Sequence, residues 1–124
     1  MAAPRRDAGY PHGDALVPSR FDRHTVILLV RPADAPAFGE AELERLQIEH
    51  LTYLRDLQRR GLLVANGPLD RQTDERLRGM SVYAVPLEDA LALARADPMV
   101  VAGRLAIEGA DWLTPENTAR FRRG

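Results

Sequence analysis

Hydrophobic residues recur along the chain with two different periods, and the switches between them outline the elements. His24-Thr-Val-Ile-Leu-Leu-Val-Arg31 is rich in β-branched and aliphatic side chains and stops at Pro32, which predicts a buried strand. From Glu40 to Arg60 the spacing changes to threes and fours. Leu43, Leu46, Leu54 and Leu57 form one stripe, and Gly61 follows Arg59 and Arg60 as a stop signal. Leu62-Leu-Val-Ala-Asn66, closed by Gly67-Pro68, predicts a second strand that bends at its end. The polar stretch Asp70 to Arg78 reads as the loop of a long hairpin. Gly79-Met-Ser-Val-Tyr-Ala-Val85 returns as the third strand, with Met80, Val82 and Ala84 on one face and Ser81, Tyr83 and Val85 on the other.

Leu87 to Ala96 predicts a second helix with Leu87, Ala90, Leu91 and Ala94 inward. Asp97-Pro98 then opens a short helix over Met99 to Ala102, because aspartate caps helix starts well and proline suits the first helical position. Gly103 closes it, and Leu105-Ala-Ile-Glu108 follows as a fourth strand. The order β-α-β-β-α-β predicts an α+β fold on the ferredoxin-like plan, a four-stranded antiparallel sheet with both helices on one face. The other face is left bare with few aromatics to shield it, so a homodimer through the sheet faces is expected. Residues 1–22, with Pro4, Gly9, Pro11, Gly13 and Pro18 among charges, read as a flexible or strapping arm; residues 23–113 form the domain and 114–124 a C-terminal tail.

A chain of 124 residues, 45% apolar and 28% charged, is one ordinary globular domain. Its net charge of -1 offers no field for nucleic acid or anionic lipid, so neither is expected as a partner. All 17 basic residues are arginine, which excludes lysine Schiff-base chemistry and a phosphate-loop lysine. Without cysteine there is no disulfide, thiolate nucleophile or cysteine-ligated metal, as suits a reducing compartment. Met1 to Ser19 lacks the apolar core of a signal peptide, and the longest apolar run, Val26 to Val30, is far too short to cross a bilayer. The expectation is a cytoplasmic protein without a membrane partner.

His50 stands out, seven residues from both Leu43 and Leu57 on the apolar stripe where a large aliphatic side chain would be usual. Two readings are open: a structural histidine, either satisfied by a backbone carbonyl in the core or reaching solvent at the edge of the stripe, or an inward imidazole held ready for proton transfer by a neighbouring acid. Gly67 and Pro68 set a backbone path, and bare backbone there would also admit a ligand closely. Arg23, His24 and Arg31 flank the first strand; solvated strand-end charges are the preferred account over contacts to an anionic substrate. His12 lies in the arm. Three histidines without metal-motif spacing predict no metal site, and no glycine-rich phosphate cradle is present, so no cofactor is expected. Glu49 and Glu108 read as solvent-facing carboxylates.

Four segments, His50-Leu-Thr-Tyr-Leu, Gly61-Leu-Leu-Val-Ala-Asn-Gly-Pro68, Gly79-Met-Ser-Val-Tyr and Ala96-Asp-Pro-Met-Val-Val-Ala-Gly103, occur in an order and spacing that resembles the YCII-related family of small dimeric α+β-barrel proteins. The resemblance spans Arg23 to Trp112. It implies a ferredoxin-like subunit that dimerises through its sheets and a histidine–aspartate acid–base dyad, which falls by motif on His50 and Asp97. It also implies a small hydroxyl near the pocket, here Ser81. The wider superfamily includes muconolactone isomerase, and one YCII-like branch eliminates chloride from a chlorinated hydroxyquinol. The functional expectation is a cofactor-free isomerase or lyase acting on a small aromatic or lactone-like compound. In it Asp97 orients His50, and Ser81 or amides near Gly67 hold a developing oxyanion. The alternative is a non-catalytic dimeric module that binds a small metabolite or a protein through the same cleft, with Arg5-Arg6 and Arg120 to Arg123 as contacts.

Overall fold

A computed structural model describes residues 17–122. The chain runs β1 (Phe21–Val30), α1 (Glu40–Arg59), β2 (Leu63–Pro68), β3 (Leu77–Tyr83), α2 (Leu87–Arg95), α3 (Pro98–Val101) and β4 (Ala106–Pro115). The four strands form one sheet in the order β2-β3-β1-β4 with every neighbouring pair antiparallel, consistent with the ferredoxin-like α+β plan. Up to residue 16, the segment read as an arm lies outside the described residues, and His12 and Arg5-Arg6 with it.

α1 forms where the stripe predicts it. Leu46, His50, Leu54 and Leu57 are its buried residues, and Gly61 ends it at φ +74°, a conformation only glycine takes without strain. The inward side of the sheet meets the helices in two apolar clusters. Ile27, Leu54, Leu57, Leu63, Tyr83, Ala90 and Ala94 join α1, α2 and three strands, and Leu57 at 0% exposure is sealed at the centre. Leu29, Leu46, Met99 and Leu105 form the second cluster beside α3. Small residues let α2 lie close to the sheet: Ala90 and Ala94 on the helix, Gly109 beneath it. A Cβ on Gly109 would come within 3.0 Å of Leu87 Cδ1 and Leu91 Cδ2 and 3.1 Å of Ile27 Cδ1.

The strands depart from the expected bounds in ways that pairing explains. β1 begins at Phe21, inside the expected arm, because Phe21 and Asp22 pair with Pro115 and Thr114. β4 runs to Pro115 rather than stopping at Glu108, pairing with β1 without interruption from Val30↔Ala106 to Phe21↔Pro115. Glu108-Gly-Ala-Asp111 is poor strand sequence, so local preference hid what the long β1 template imposes. β3 starts at Leu77 and ends at Tyr83, two residues earlier at each end than the apolar run indicates. Its register against β1 slips once: Leu29 faces Gly79 while Val30 faces Leu77, leaving Arg78 as the extra residue of a bulge. Part of the C-terminal tail packs back on the sheet. Phe121 returns to stack edge-on against His24 at 5.1 Å between ring centroids, beside Trp112.

By alternation Ile27, Leu29, Ser81 and Tyr83 face the helices, and Val26, Leu28, Met80 and Val82 line the opposite face, where Val26↔Val82 and Leu28↔Met80 sit side by side. No helix covers this second face among the described residues, and Trp112 at its edge is 43% exposed.

The close approach over Gly109 makes a direct prediction. Gly109→Val drives two γ carbons into Leu87, Leu91 and Ile27 and should lower unfolding free energy by about 1–3 kcal/mol, the usual cost of overpacking. Urea melts followed by circular dichroism check it; an unchanged midpoint would mean that α2 lifts off the sheet freely.

A candidate active site at His50 and Asp97

His50 sits between the two apolar clusters, one helical turn from Leu46 of one and from Leu54 of the other. A polar side chain there must find partners, because an unsatisfied buried group costs about 1–3 kcal/mol. It finds one: Nδ1–H of His50 donates to Oδ2 of Asp97 at 2.7 Å. Asp97 is only 2% exposed, and its carboxylate is satisfied twice. Oδ1 accepts the Met99 backbone N–H at 2.9 Å and caps α3, while Oδ2 holds the imidazole. Proline at the first position of α3 fixes the entry to that short helix, and Gly103 at φ +82° ends it, so four backbone positions beyond His50's partner are locally determined.

Nε2 of His50 has no hydrogen-bond partner among the described residues. No sealed side-chain nitrogen or oxygen is left unpaired there either, so Nε2 is open to the cavity that His50 lines. That cavity encloses about 300 Å³, at the small end of the usual range for ligand sites. Ser81 lines it from β3, buried and with no side-chain hydrogen bond of its own among the described residues; Gly67 and Pro68 line it from the edge strand β2. All four residues singled out around Asp97 in the sequence therefore meet at one cavity, with Asp97 behind His50 and out of direct contact with the space. A Cβ on Gly67 would touch nothing within 4 Å, so packing does not require this glycine; its bareness adds room to the cavity.

Tyr53 stands one turn along α1 and donates its hydroxyl to the Leu93 carbonyl at 2.6 Å, tying α1 to the end of α2 above the dyad. Burial raises the Tyr53 pKa, and the negative charge of Asp97 adds to the rise. The Tyr83 phenol is raised further, again by burial first and then by Tyr53 and Asp97, so both hydroxyls remain protonated donors around the carboxylate at neutral pH.

Of the three strand-flanking residues, two have partners away from the cavity and one lines it. Arg23 pairs with Asp111 at 2.8 Å, and His24 bonds the Thr114 hydroxyl at 3.0 Å, both away from His50. Arg31, expected to be a solvated strand-end charge, is instead half-buried and lines the cavity, because β1 alternation points it to the same side as Ile27 and Leu29. Arg78 and Arg104 line it too, and neither was singled out in the sequence. Arg78 reads as hairpin loop by its polar surroundings, and only the bulge carries it to the cavity; Arg104 has no periodic pattern to mark it. Glu49 pairs with Arg45 on the outside of α1, and Glu108 is exposed, as expected.

Among the described residues no group of three or more histidine, aspartate or glutamate side chains could hold a metal ion, and no helix is long and apolar enough to cross a membrane. A larger concavity, about 1600 Å³, opens at the other end of the sheet around Thr25, Tyr83 and Phe121. It touches neither His50 nor Asp97, and its one strong ion pair, Arg23 with Asp111, is already made, so the smaller cavity is the better candidate for chemistry.

No curated protein matches the chain. The profile of the YCII-related domain matches residues 25–108, from within β1 to the start of β4, and covers every residue of the candidate site. On that match, over more than half of its length, the chain belongs to the YCII-related family.

Proposed function

We propose that the protein is a cofactor-independent enzyme of isomerase or lyase type in which His50 removes and returns a proton on a small molecule bound in the cavity. One observation carries this reading: Nδ1 is committed to a buried carboxylate while Nε2 opens onto a half-open cavity. Asp97 fixes the tautomer that leaves the Nε2 lone pair free and stabilises the imidazolium once the proton has moved. Ser81, with an uncommitted hydroxyl at the same cavity, is the donor for a developing oxyanion. General acid–base help of this kind supplies roughly two to four orders of magnitude, enough for isomerisation or elimination of an already acidic compound.

The working unit in this reading is a homodimer joined through the open sheet face. Leu28 and Met80, half-buried beside the buried Val26 and Val82, form a small apolar surface there with Trp112 exposed at its rim, and a face of this kind is normally covered.

Asp97→Asn tests the tautomer. The cap on Met99 N–H still needs an oxygen, so the amide nitrogen turns toward His50 and forces Nδ1 to accept. Nitrogen-15 shifts of the imidazole should report Nδ1–H in the native protein and Nε2–H in the variant. Proton exchange should fall by about 10²–10⁴-fold, as when a triad aspartate is made asparagine. Asp97→Ala, which strips both partners at once, should cost about 3–5 kcal/mol of stability.

Activity is sought by incubating small acidic lactones and phenols in D₂O and following deuterium uptake by mass spectrometry. Uptake that disappears in His50→Gln supports the enzyme; uptake indifferent to His50, or none with any compound, moves the protein to a non-catalytic binding module. For the assembly, sedimentation equilibrium should give twice the 13.8 kDa chain mass, and Met80→Lys should halve it. A monomeric native protein would remove the dimer.

A further inference from the structure

The cavity beside His50 is lined by three arginines and by no acidic residue: Arg31 from the end of β1, Arg78 from the bulge of β3 and Arg104 from the turn before β4. We infer that this trio is a built anion clamp, and that the molecule presented to His50 is a small organic acid whose carboxylate the arginines grip. As a statement of substrate class this rests on the proton-transfer reading of His50; as a statement of binding it stands without it.

Three features separate the cluster from scattered surface charge. First, the cations are short of counter-charge. Among the described residues Arg31 and Arg104 make no ion pair, and the one carboxylate near Arg78, that of Glu75, is 3.8 Å away and almost fully solvated. Second, they are held in position by backbone. Arg31 Nε donates to the Arg104 carbonyl at 3.1 Å, and Arg78 Nη1 donates to the Glu75 carbonyl at 3.2 Å, so two of the guanidinium groups keep further N–H donors for a guest. Third, the fold accepts a cost to bring them together. Burial lowers the Arg31 pKa, and the neighbouring Arg104 and Arg78 lower it further, the mark of like charges crowded without relief.

The β3 bulge gives the clamp its geometry. In an unbroken strand Arg78 would alternate with Gly79 and point to the opposite face; the extra residue between the Leu29↔Gly79 and Val30↔Leu77 pairs re-aims it, so that both Arg78 and Gly79 border the cavity. Gly79 has no side chain to occupy the space between them, and a Cβ there would lie 3.3 Å from both the Gly67 carbonyl oxygen and Leu29 Cδ1.

The remaining lining selects an organic anion over an inorganic one. Leu29, Leu54, Met99 and Leu105 provide an apolar wall, which a carbon skeleton covers and a phosphate ion does not. Arginine matches the planar carboxylate with paired N–H donors. With the carboxylate held, a C–H bond conjugated to it breaks toward Nε2 of His50, the electron pair spreads onto the substrate oxygens facing the guanidinium groups, and the same proton returns at another carbon. No oxidant or co-reactant is consumed.

The test is a titration of the full-length protein, followed by backbone amide NMR shifts, with benzoate, succinate, benzamide and inorganic phosphate at constant ionic strength. Benzoate or succinate should saturate in the millimolar range with shifts around Ser81 and Arg104. Benzamide and phosphate should bind at least about tenfold more weakly. Arg31→Gln and Arg104→Gln should each weaken carboxylate binding about tenfold while melting no lower than the native protein, since each relieves repulsion; Arg59→Gln, on the outside of α1, should change nothing. Failure of both carboxylates to saturate, equal binding of benzamide, or indifference to the arginine substitutions overturns the clamp. Phosphate binding as tight as benzoate overturns its preference for an organic acid. His50→Gln separates the two proposals: carboxylate binding that persists while deuterium uptake is absent even in the native protein keeps the clamp and discards the enzyme.

Discussion

The buried carboxylate of Asp97 is the constraint around which the rest of this molecule is arranged. A charge that is 2% exposed is tolerated only when hydrogen bonds replace water, and here one bond comes from the chain itself and the other from a helix 47 positions away. The local bond to Met99 is strong in its own right, because it starts α3; the distant bond to His50 then docks α1 against that start. Each apolar cluster touches this junction from one side, so the seam of the core is polar and specific while its two lobes are aliphatic and forgiving. The same bond that holds the helices together orients the imidazole, and its structural and chemical consequences cannot be varied independently.

Electrostatically the site is divided into layers. The single negative charge of Asp97 lies behind His50, the open nitrogen of the imidazole borders the cavity, and the three arginines line the same cavity. Tyr53 and Tyr83 surround the carboxylate as neutral phenols whose ionisation burial suppresses, so no second negative charge competes for the histidine. In the proposed reaction a proton taken up by His50 would be stabilised by Asp97, and negative charge left on a bound molecule by the arginines. This separation arises from strand alternation, one bulge and one helix cap.

Much of this was legible in the chain because the relevant signals are local. The aliphatic stripe with an odd histidine, the Asp-Pro helix start and the glycine stops at Gly61 and Gly103 each carry their own physical reason, and each element lies within a residue or two of where that reason puts it. The pairing of His50 with Asp97 was legible only through family resemblance, since no periodicity links positions on separate elements. What stayed hidden depends on neighbours in space. β4 is ten residues long because β1 offers ten partners, whatever the poor strand preference of Glu108 to Asp111. Arg78 reaches the cavity through a register slip that no single-strand pattern records, and Arg31 is drawn in from a position that reads as a solvated strand end.

The cavity's walls are not equally restrained. Two of them, α1 and β3, are packed on several sides, but the third is β2, an edge strand bonded to one neighbour only and carrying a bulge of its own near Val64. Pro68 removes an outward N–H from that edge, which discourages another chain from adding to it. The wall that bounds the ligand space is thus the element best able to move outward without disturbing the Asp97 junction. On the proposed reading, changes of shape along Asn66, Gly67 and Pro68 would alter which carbon skeleton fits while the His50–Asp97 pair stays as it is, so selectivity and chemistry would reside in mechanically separate parts of the fold.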